Sequence, residues 1–304
     1  MPERVVGRVG KLIALTPMAI PPPNPASTIV LVRKGLKRAS PSILLLQRKA
    51  DASWLGGAWV FPGGRVDDGD RDQQWRELAD GIPALRAAWP DADPGWLVDH
   101  AIAAVRELFE ETGLILVRPD PELRVRPGSP KAIEARAKLR QGLVSFLRIC
   151  RVYGWRPAVD RLLPLSRWIT PEQERKRFDT VFFVAEAPDA DGDGSADGVE
   201  IEDARWAPAS AVLERYAAGE VELAPPTLRT LEDLSAFKSV ARVLAWASAS
   251  PRLTLAPRLH VEAAQRILLL PGDALYPVEA HLRIGGATRF VEREGRWHSE
   301  VTRT

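Results

Sequence analysis

The sequence predicts an α/β protein: one catalytic domain of about 250 residues that carries a C-terminal extension. Three observations predict it. Short runs rich in β-branched residues or leucine at 27–32 and 42–47, and an aromatic run at 58–61, are separated by loops containing Gly and Pro, the pattern of short buried strands. Residues 99–112 carry Ile102, Val105 and Phe109 at helical spacing, with Gly113 where a C-cap belongs. Beyond that helix, extended and helical patterns go on alternating, as in an α/β chain.

Taken in order, the first two strands flank a basic loop containing Gly35 and Pro41, so they read as a pair, and the third is stopped by Pro62-Gly63-Gly64. Residues 67–99 are polar and broken by Pro83, Pro90 and Pro94, yet they carry Trp75, Trp89 and Trp96; short helices beginning near Trp75 and Pro83 are expected there. A second helix is expected over 132–147 and strands over 161–168 and 180–187. A Gly/Asp turn at 189–198 leads into a strand at 200–206. Thr227, after Pro225-Pro226, is placed to N-cap a long helix running to about Ser248. Extended pieces at 266–270 and 288–292 follow, with turns at Pro271-Gly272-Asp273 and Glu294-Gly295. The expected division is an N-terminal segment 1–24, a catalytic domain 25–250 interrupted by an insertion at 71–98, and an extension 251–304 packed on it.

Composition narrows the function. With 45% hydrophobic and 27% charged residues the chain is not disordered throughout, and 42 basic against 40 acidic residues leave no overall field to attract nucleic acid or a membrane. The single cysteine, Cys150, permits no internal disulfide and reads as a buried thiol in a reducing compartment. The apolar stretch 11–20 after Arg4 and Arg8 is interrupted by Pro17 and closed by Pro21-Pro22-Pro23, unlike a signal peptide. No apolar run approaches the roughly 20 residues of a membrane helix, and the final Val-Thr-Arg-Thr is not a peroxisomal address, so a cytoplasmic location is expected.

The chemistry is carried by Arg106-Glu107-Leu108-Phe109-Glu110-Glu111-Thr112-Gly113-Leu114. On a helix, Glu107 lies three and four positions before Glu110 and Glu111, so three like charges crowd one turn. Hard oxygen donors gathered in that way suit Mg²⁺ or Mn²⁺, and Arg106, four residues before Glu110, is placed to hold that carboxylate. Upstream, Phe61-Pro62-Gly63-Gly64 brings a strand into a pair of glycines that can present bare backbone to a phosphate.

Together these segments resemble the Nudix box, G-x5-E-x7-R-E-U-x-E-E-x-G-U, in which U is a bulky aliphatic residue. The second half matches from Arg106 through Leu114. In the first half, counted from Gly64, the glutamate position holds Asp70, and 35 residues instead of 7 separate it from Arg106, an excess of 28. A box split in this way, with Trp59 to Asp67, Trp168-Ile-Thr-Pro-Glu172, Arg177 to Phe183, Leu223 to Leu228 and Leu270-Pro-Gly-Asp273, is similar to the Nudix subfamily that includes the peroxisomal mammalian coenzyme A diphosphatase. The likeness runs from about residue 25 to 300.

The resemblance implies a mixed β-sheet between helices and hydrolysis of a diphosphate linkage in a nucleotide derivative, coenzyme A or an acyl-coenzyme A before ADP-ribose or NADH. It implies the Gly63 carbonyl, Glu107, Glu110 and Glu111 as metal ligands, Glu110 or Glu107 as the base, and Arg106 as the orienting cation. A later glutamate, Glu172 or Glu174, is expected to complete the metal set. Arg48, Arg175 and Arg177 are candidates to grip phosphate and Trp59 to stack on a base. A Nudix-fold nucleotide sensor is disfavoured, because Arg106, Glu107, Glu110 and Glu111 are all present.

Two further expectations follow from the sequence. The insertion, rich in tryptophan, is expected either to pack as a cap beside the cleft and shape substrate choice or to form a structural patch on the C-terminal extension. Asp189-Ala-Asp191-Gly-Asp193-Gly194 with Glu200 has the spacing of a calcium loop, but strand-like flanks favour a hairpin loop. His100, His260, His281 and His298 have no ligand spacing.

Overall fold

Isoleucine, valine and leucine fill positions 29–32 without a polar gap, and a strand of that composition is buried on both faces. The computed structural model describes residues 21–35, 40–52, 55–119, 125–188, 193–276 and 286–302, and it places this run in β1 (Asn24–Arg33), central in an eight-stranded mixed sheet. On one side lies β2 (Ser42–Arg48), antiparallel, with Val32 opposite Ile43. On the other lies β8 (Phe178–Glu186), parallel, with Thr28 opposite Phe182. The order is β10 (Leu253–Leu255), β7 (Leu163–Ile169), β8, β1, β2 and β3 (Trp59–Val60); β4 (Gly63–Arg65) pairs with β1 and β9 (Ile201–Pro208) with β2.

The two-residue period of the strands divides the interior into two cores. Ile29, Leu31, Leu44 and Phe183 face one; Val30, Val32, Ile43 and Phe182 face the other. The first core is covered by α1 (Trp75–Leu78), α2 (Ile82–Ala88), α3 (Pro94–Thr112), α4 (Pro130–Arg140), α5 (Phe146–Tyr153) and the ribbon of β5 (Val117–Pro119) and β6 (Trp155–Pro157). The second is covered by α6 (Ala209–Ala217), α7 (Pro225–Ser235), α8 (Val240–Ala249) and an antiparallel sheet of β11 (Arg258–Glu262), β12 (Gln265–Leu269), β13 (Arg289–Arg293) and β14 (Arg296–Glu300). The expected mixed sheet between helices is present. The C-terminal sheet is packed on it through Leu268, Leu270 and Phe290.

Where the elements differ from expectation, caps explain it. α3 starts at Pro94, five residues before the expected 99, because the Asp93 side chain accepts from the Trp96 N–H at 2.7 Å and Pro94 suits the first turn. The helix expected over 132–147 is two: α4 ends before Gly142, which is left-handed at φ 68°, and the Ser145 side chain caps α5. The long helix expected from Thr227 to 248 is also two, beginning at Pro225 and interrupted where Ser239 caps α8. The connection between β8 and β9 is not a hairpin, since the two strands are not paired: β9 lies on β2, beyond β1. Asp189 and Asp191 of the calcium-like spacing lie outside the described residues, and Asp193 is ion-paired with Arg33.

The insertion is not a cap. Trp75 and Trp89 are buried in the first core, the Trp75 ring lies 5.5 Å from that of Phe146, and the Trp75 indole N–H donates to the Gly69 carbonyl at 2.8 Å. Residues 94–98 are the first turn of α3 itself. Cys150 is fully buried in the same core, and burial pushes its thiol well above the usual range. Among the described residues, no helix is long and apolar enough to cross a membrane.

Candidate active site

The site is built where α3 lies against β4. Glu107 and Glu111, four residues apart, share the face of α3 turned toward the two glycines. The Gly63 N–H donates to Glu111 Oε2 at 2.9 Å. A Cβ on Gly64 would collide with the Glu107 carboxylate, and one on Gly63 with the Ser27 and Thr28 backbone of β1. The glycine pair is therefore required by close approach of helix, strand and carboxylate.

Arg106 is the hub. Its Nε and Nη2 donate to the two oxygens of Asp70 at 2.9 and 2.8 Å, its Nη1 donates to Glu107 at 2.9 Å and Glu110 at 3.0 Å, and Nη2 also donates to the Arg65 carbonyl. Burial works against the guanidinium charge, but the bonds to Asp70 and the charges of Glu107 and Glu110 outweigh it and hold the group above the ordinary arginine range. Asp70, in a single 3-10 turn at Asp68–Arg71, also accepts from the Asp67 N–H at 2.8 Å, so its buried carboxylate has three donors.

The two inward glutamates are in a different position. Burial pushes the Glu107 carboxyl up to about 7 against the pull of Arg106, and Glu110 adds to the push. Burial raises Glu111 well above the usual carboxylate range, with Glu107 adding to it and the Gly63 N–H opposing. A single arginine thus serves Asp70, Glu107 and Glu110, while Glu111 accepts from the neutral Gly63 N–H and feels the charge of Arg48. Even with both arginines, burial still disfavours the ionised forms of Glu107 and Glu111.

The side of the group that faces the glycines adjoins a cleft of about 370 Å³ in which Gly63 and Arg48 take part. Its walls come from β1, β8, the loop at 169–176, the start of α7 and the C-terminal sheet. None of its lining residues belongs to the insertion.

A family model described as the NUDT19 Nudix domain matches residues 87–234. The acyl-coenzyme A diphosphatase NUDT19 of Homo sapiens is 31% identical over 77% of this chain and 72% of its own length, and that of Gallus gallus is 27% identical over 83% and 79%. The chain belongs to the NUDT19 family of Nudix hydrolases. It is a Nudix diphosphohydrolase. Among solved structures, a Nudix hydrolase from Alicyclobacillus acidocaldarius superposes with a TM-score of 0.64 at 28% identity, covering 75% of this chain and 98% of that one.

Nudix hydrolases generally use divalent metal ions, and the residues present fit one by their chemistry. Glu107 and Glu111 are hard oxygen donors whose charge burial opposes, so a cation beside them would stabilise the ionised forms that the protein alone disfavours. Among the described residues, no three acidic, His or Cys side chains converge as a closed cage, and Glu110 is turned to Arg106. The fit is that of an open site completed by backbone and solvent oxygens.

Of the other residues singled out in the sequence, the structure brings Arg48 to the cleft that Gly63 also lines, and Arg48 pairs with Glu200 at 3.7 Å. Arg177 is buried and structural: Nε donates to the Thr170 carbonyl at 3.2 Å and Nη1 to that of Pro21 at 2.8 Å. Arg175 is exposed and lines no part of the cleft, whereas its neighbour Lys176 does. Trp59 is buried in the second core, with Arg205 and Arg215 over its ring at 5.4 and 5.8 Å, and is not in the cleft wall. Glu174 reaches the cleft but is paired with Arg266 at 2.8 Å, and Glu172 with Arg258 at 3.9 Å, so the C-terminal sheet engages both.

Three features escaped sequence reading. Asp70 stood at the counted box position, and its role as the main anchor of Arg106 was available from that count. Arg136 Nε donates to the Glu110 carbonyl at 2.9 Å and its Nη2 to the Ser195 carbonyl at 3.0 Å, tying down the C-terminal end of α3; it had no signal beyond a basic residue on a helix. The contribution of Leu268 and Trp297 to the cleft depends on how a distant sheet folds back, which local pattern does not encode.

Proposed function

We propose that this chain hydrolyses the diphosphate linkage of coenzyme A or an acyl-coenzyme A, releasing 3′,5′-ADP and 4′-phosphopantetheine or its acyl derivative, with Mg²⁺ or Mn²⁺ as the metal. The observation that carries the substrate is the 31% identity to the human acyl-coenzyme A diphosphatase over most of both chains. Glu107, Glu111 and the Gly63 carbonyl are the groups assigned to hold the metal. Bound there, Mg²⁺ or Mn²⁺ supplies charge neutralisation for the diphosphate and lowers the pKa of the attacking water.

The remaining work falls to the chain's own residues. Arg106 keeps Glu107 and Glu110 oriented from behind while Asp70 fixes Arg106. Glu110, whose Oε1 is held by Arg106, is assigned to take the proton from water. Arg48, which lines the same cleft as Gly63, is assigned to bind a diphosphate oxygen. The buried free thiol of Cys150 suits the reducing setting of the cytoplasm.

The test is a substrate panel of coenzyme A, acetyl-coenzyme A, a long-chain acyl-coenzyme A, ADP-ribose and NADH with Mg²⁺ or Mn²⁺, with products identified by mass spectrometry. The reading expects 3′,5′-ADP from the coenzyme A species as the fastest product. Faster turnover of ADP-ribose or NADH would overturn the substrate assignment and leave the diphosphohydrolase chemistry in place.

A further inference from the structure

The cleft beside the glutamates separates its charges from its apolar surface. Phe61, Trp168, Phe182 and Leu268 are all buried, so they form its floor. Lys176 is exposed, and Glu174 and Arg266, paired with each other, are each about two-fifths exposed, so these groups lie at its mouth. Arg48 is the most buried cation of the lining, and its charge acts on Glu111, which accepts from the Gly63 N–H. The floor is therefore an apolar surface in the same cleft as Gly63 and Arg48, and the lining puts no buried cation on it.

We propose that this cleft seats the acyl-pantetheine arm of the substrate, and that Leu268 and Trp297 of the C-terminal sheet set the length of acyl group accepted. The inference rests on the coenzyme A reading of the site. The adenosine half carries a 3′-phosphate, and placing that dianion on an apolar floor leaves it without the cation or donors that a buried charge requires. The other half is a flexible arm ending in a thiol or an acyl chain, whose burial is favourable by roughly 25 cal/mol per Å². Continuity with Gly63 and Arg48 places the start of that arm next to the bond that is broken. At about 370 Å³ the cleft is near the lower end of the roughly 300–1,000 Å³ of small-ligand sites, so its walls limit how much of a long acyl chain it can bury. Trp297 is the largest side chain that the C-terminal sheet adds to those walls. Its ring lies under the Arg266 guanidinium at 5.6 Å, while its backbone carbonyl accepts from the Tyr216 hydroxyl at 2.6 Å. The latter bond does not depend on the side chain, so the ring can be removed without untying the strand.

The experiment measures kcat and KM of the full chain and of Trp297→Ala, with Mg²⁺, for coenzyme A, 3′-dephospho-coenzyme A and acyl-coenzyme A species from acetyl to palmitoyl. The variant is expected to raise kcat/KM for the longest acyl groups relative to free coenzyme A by about tenfold, through KM. Leu268→Phe, which fills the floor, is expected to shift the preference the other way, and it carries the test if Trp297→Ala does not fold. An acyl-length profile unchanged in a folded, active variant overturns the inference while the coenzyme A reading stands. A change confined to the ratio of coenzyme A to its 3′-dephospho form also overturns it, by assigning the cleft to the nucleotide half. A parent chain inactive on every coenzyme A species overturns both.

Discussion

Removing the Asp70 carboxylate tests whether the shortened acidic side chain performs the box glutamate's task. Asp70 is 2% exposed and the Arg106 side chain 8%, and two of the five hydrogen bonds of the guanidinium end on Asp70. Deleting one partner of a buried ion pair costs about 3–5 kcal/mol, because the other charge stays buried. Glu107 and Glu110 remain bonded to the same guanidinium, so Asp70→Ala belongs at the lower end, about 3 kcal/mol. For a chain of this size that is a fall of about 6 °C in melting temperature. Asp67 provides the control: it lies 3.6 Å from Arg106 but is 65% exposed, and Asp67→Ala should stay within about 0.5 kcal/mol of the parent. Turnover should fall with Asp70→Ala mainly through kcat, since Arg106, still bonded to the glutamates, is itself no longer anchored, and Asp70→Glu should restore part of it. Thermal melts and steady-state kinetics of the three variants in one buffer decide the matter. Equal melting temperatures for Asp70→Ala and Asp67→Ala would show that the glutamates alone secure Arg106 and would refute the anchoring role.

Glu107→Gln and Glu111→Gln should each lower turnover by orders of magnitude without lowering the metal-free melting temperature, because each relieves a carboxylate whose charge burial disfavours; Mn²⁺ should raise the melting temperature of the parent and not of the variants. A variant that melts well below the parent without metal would contradict this. His100, buried between Ser27 Oγ at 3.0 Å and the Ala26 carbonyl at 2.9 Å, is lowered by burial to about 4 from 6.5. A depressed histidine contributes stability above its unfolded value that is lost as pH falls toward its folded one, here about 3 kcal/mol between pH 6.5 and 4. His100→Gln should flatten the melting-temperature profile over that window, and an unchanged slope would speak against it. Trp75→Ala should cost about 3–5 kcal/mol, and replacing residues 72–96 with a Gly/Ser linker should leave no cooperative unfolding transition. A folded linker variant with altered KM alone would reinstate the cap.

What was legible in the sequence follows from the range over which each feature is determined. The crowding of Glu107, Glu110 and Glu111 on one turn is local, so spacing alone placed them together, and the glycine pair could be read as a point of close approach for the same reason. Caps decided the rest locally: Ser145 and Ser239 are N-cap residues that break two apparently continuous helices, and an apolar period read without its capping residues overran both. Trp59 and Arg177 were misplaced for a different reason. An aromatic beside a Gly-Gly turn and an arginine in a basic triplet look alike whether they face a cleft or the interior, and only the second core and the Thr170 carbonyl settle which way they point. The β8 to β9 connection was read as a hairpin because a Gly/Asp turn fits one. The partner of a strand is a non-local property, and β9 pairs with β2.

The same reasoning explains how a box can be split without losing its site. The motif needs Asp70 and Arg106 within hydrogen-bond reach, and it needs α3 pressed against β4; neither requirement counts the residues between. The chain leaves directly after the 3-10 turn that holds Asp70 and re-enters as the first turn of α3, so both ends of the insertion are fixed by elements that the site already requires. What lies between must then be stabilised on its own account, since each ordered residue costs about 1–2 kcal/mol of backbone entropy. Trp75, Ile82, Leu85 and Trp89 supply that by filling the first core, and Arg252 anchors the end of α2 by donating to the Ala88 carbonyl at 3.0 Å. An insertion committed to the core on the α3 side of the sheet cannot also line a cleft walled by α7 and the C-terminal strands. Variation in substrate choice within this architecture should therefore track the C-terminal sheet and the loop at 169–176, while changes in the insertion should register as changes in stability.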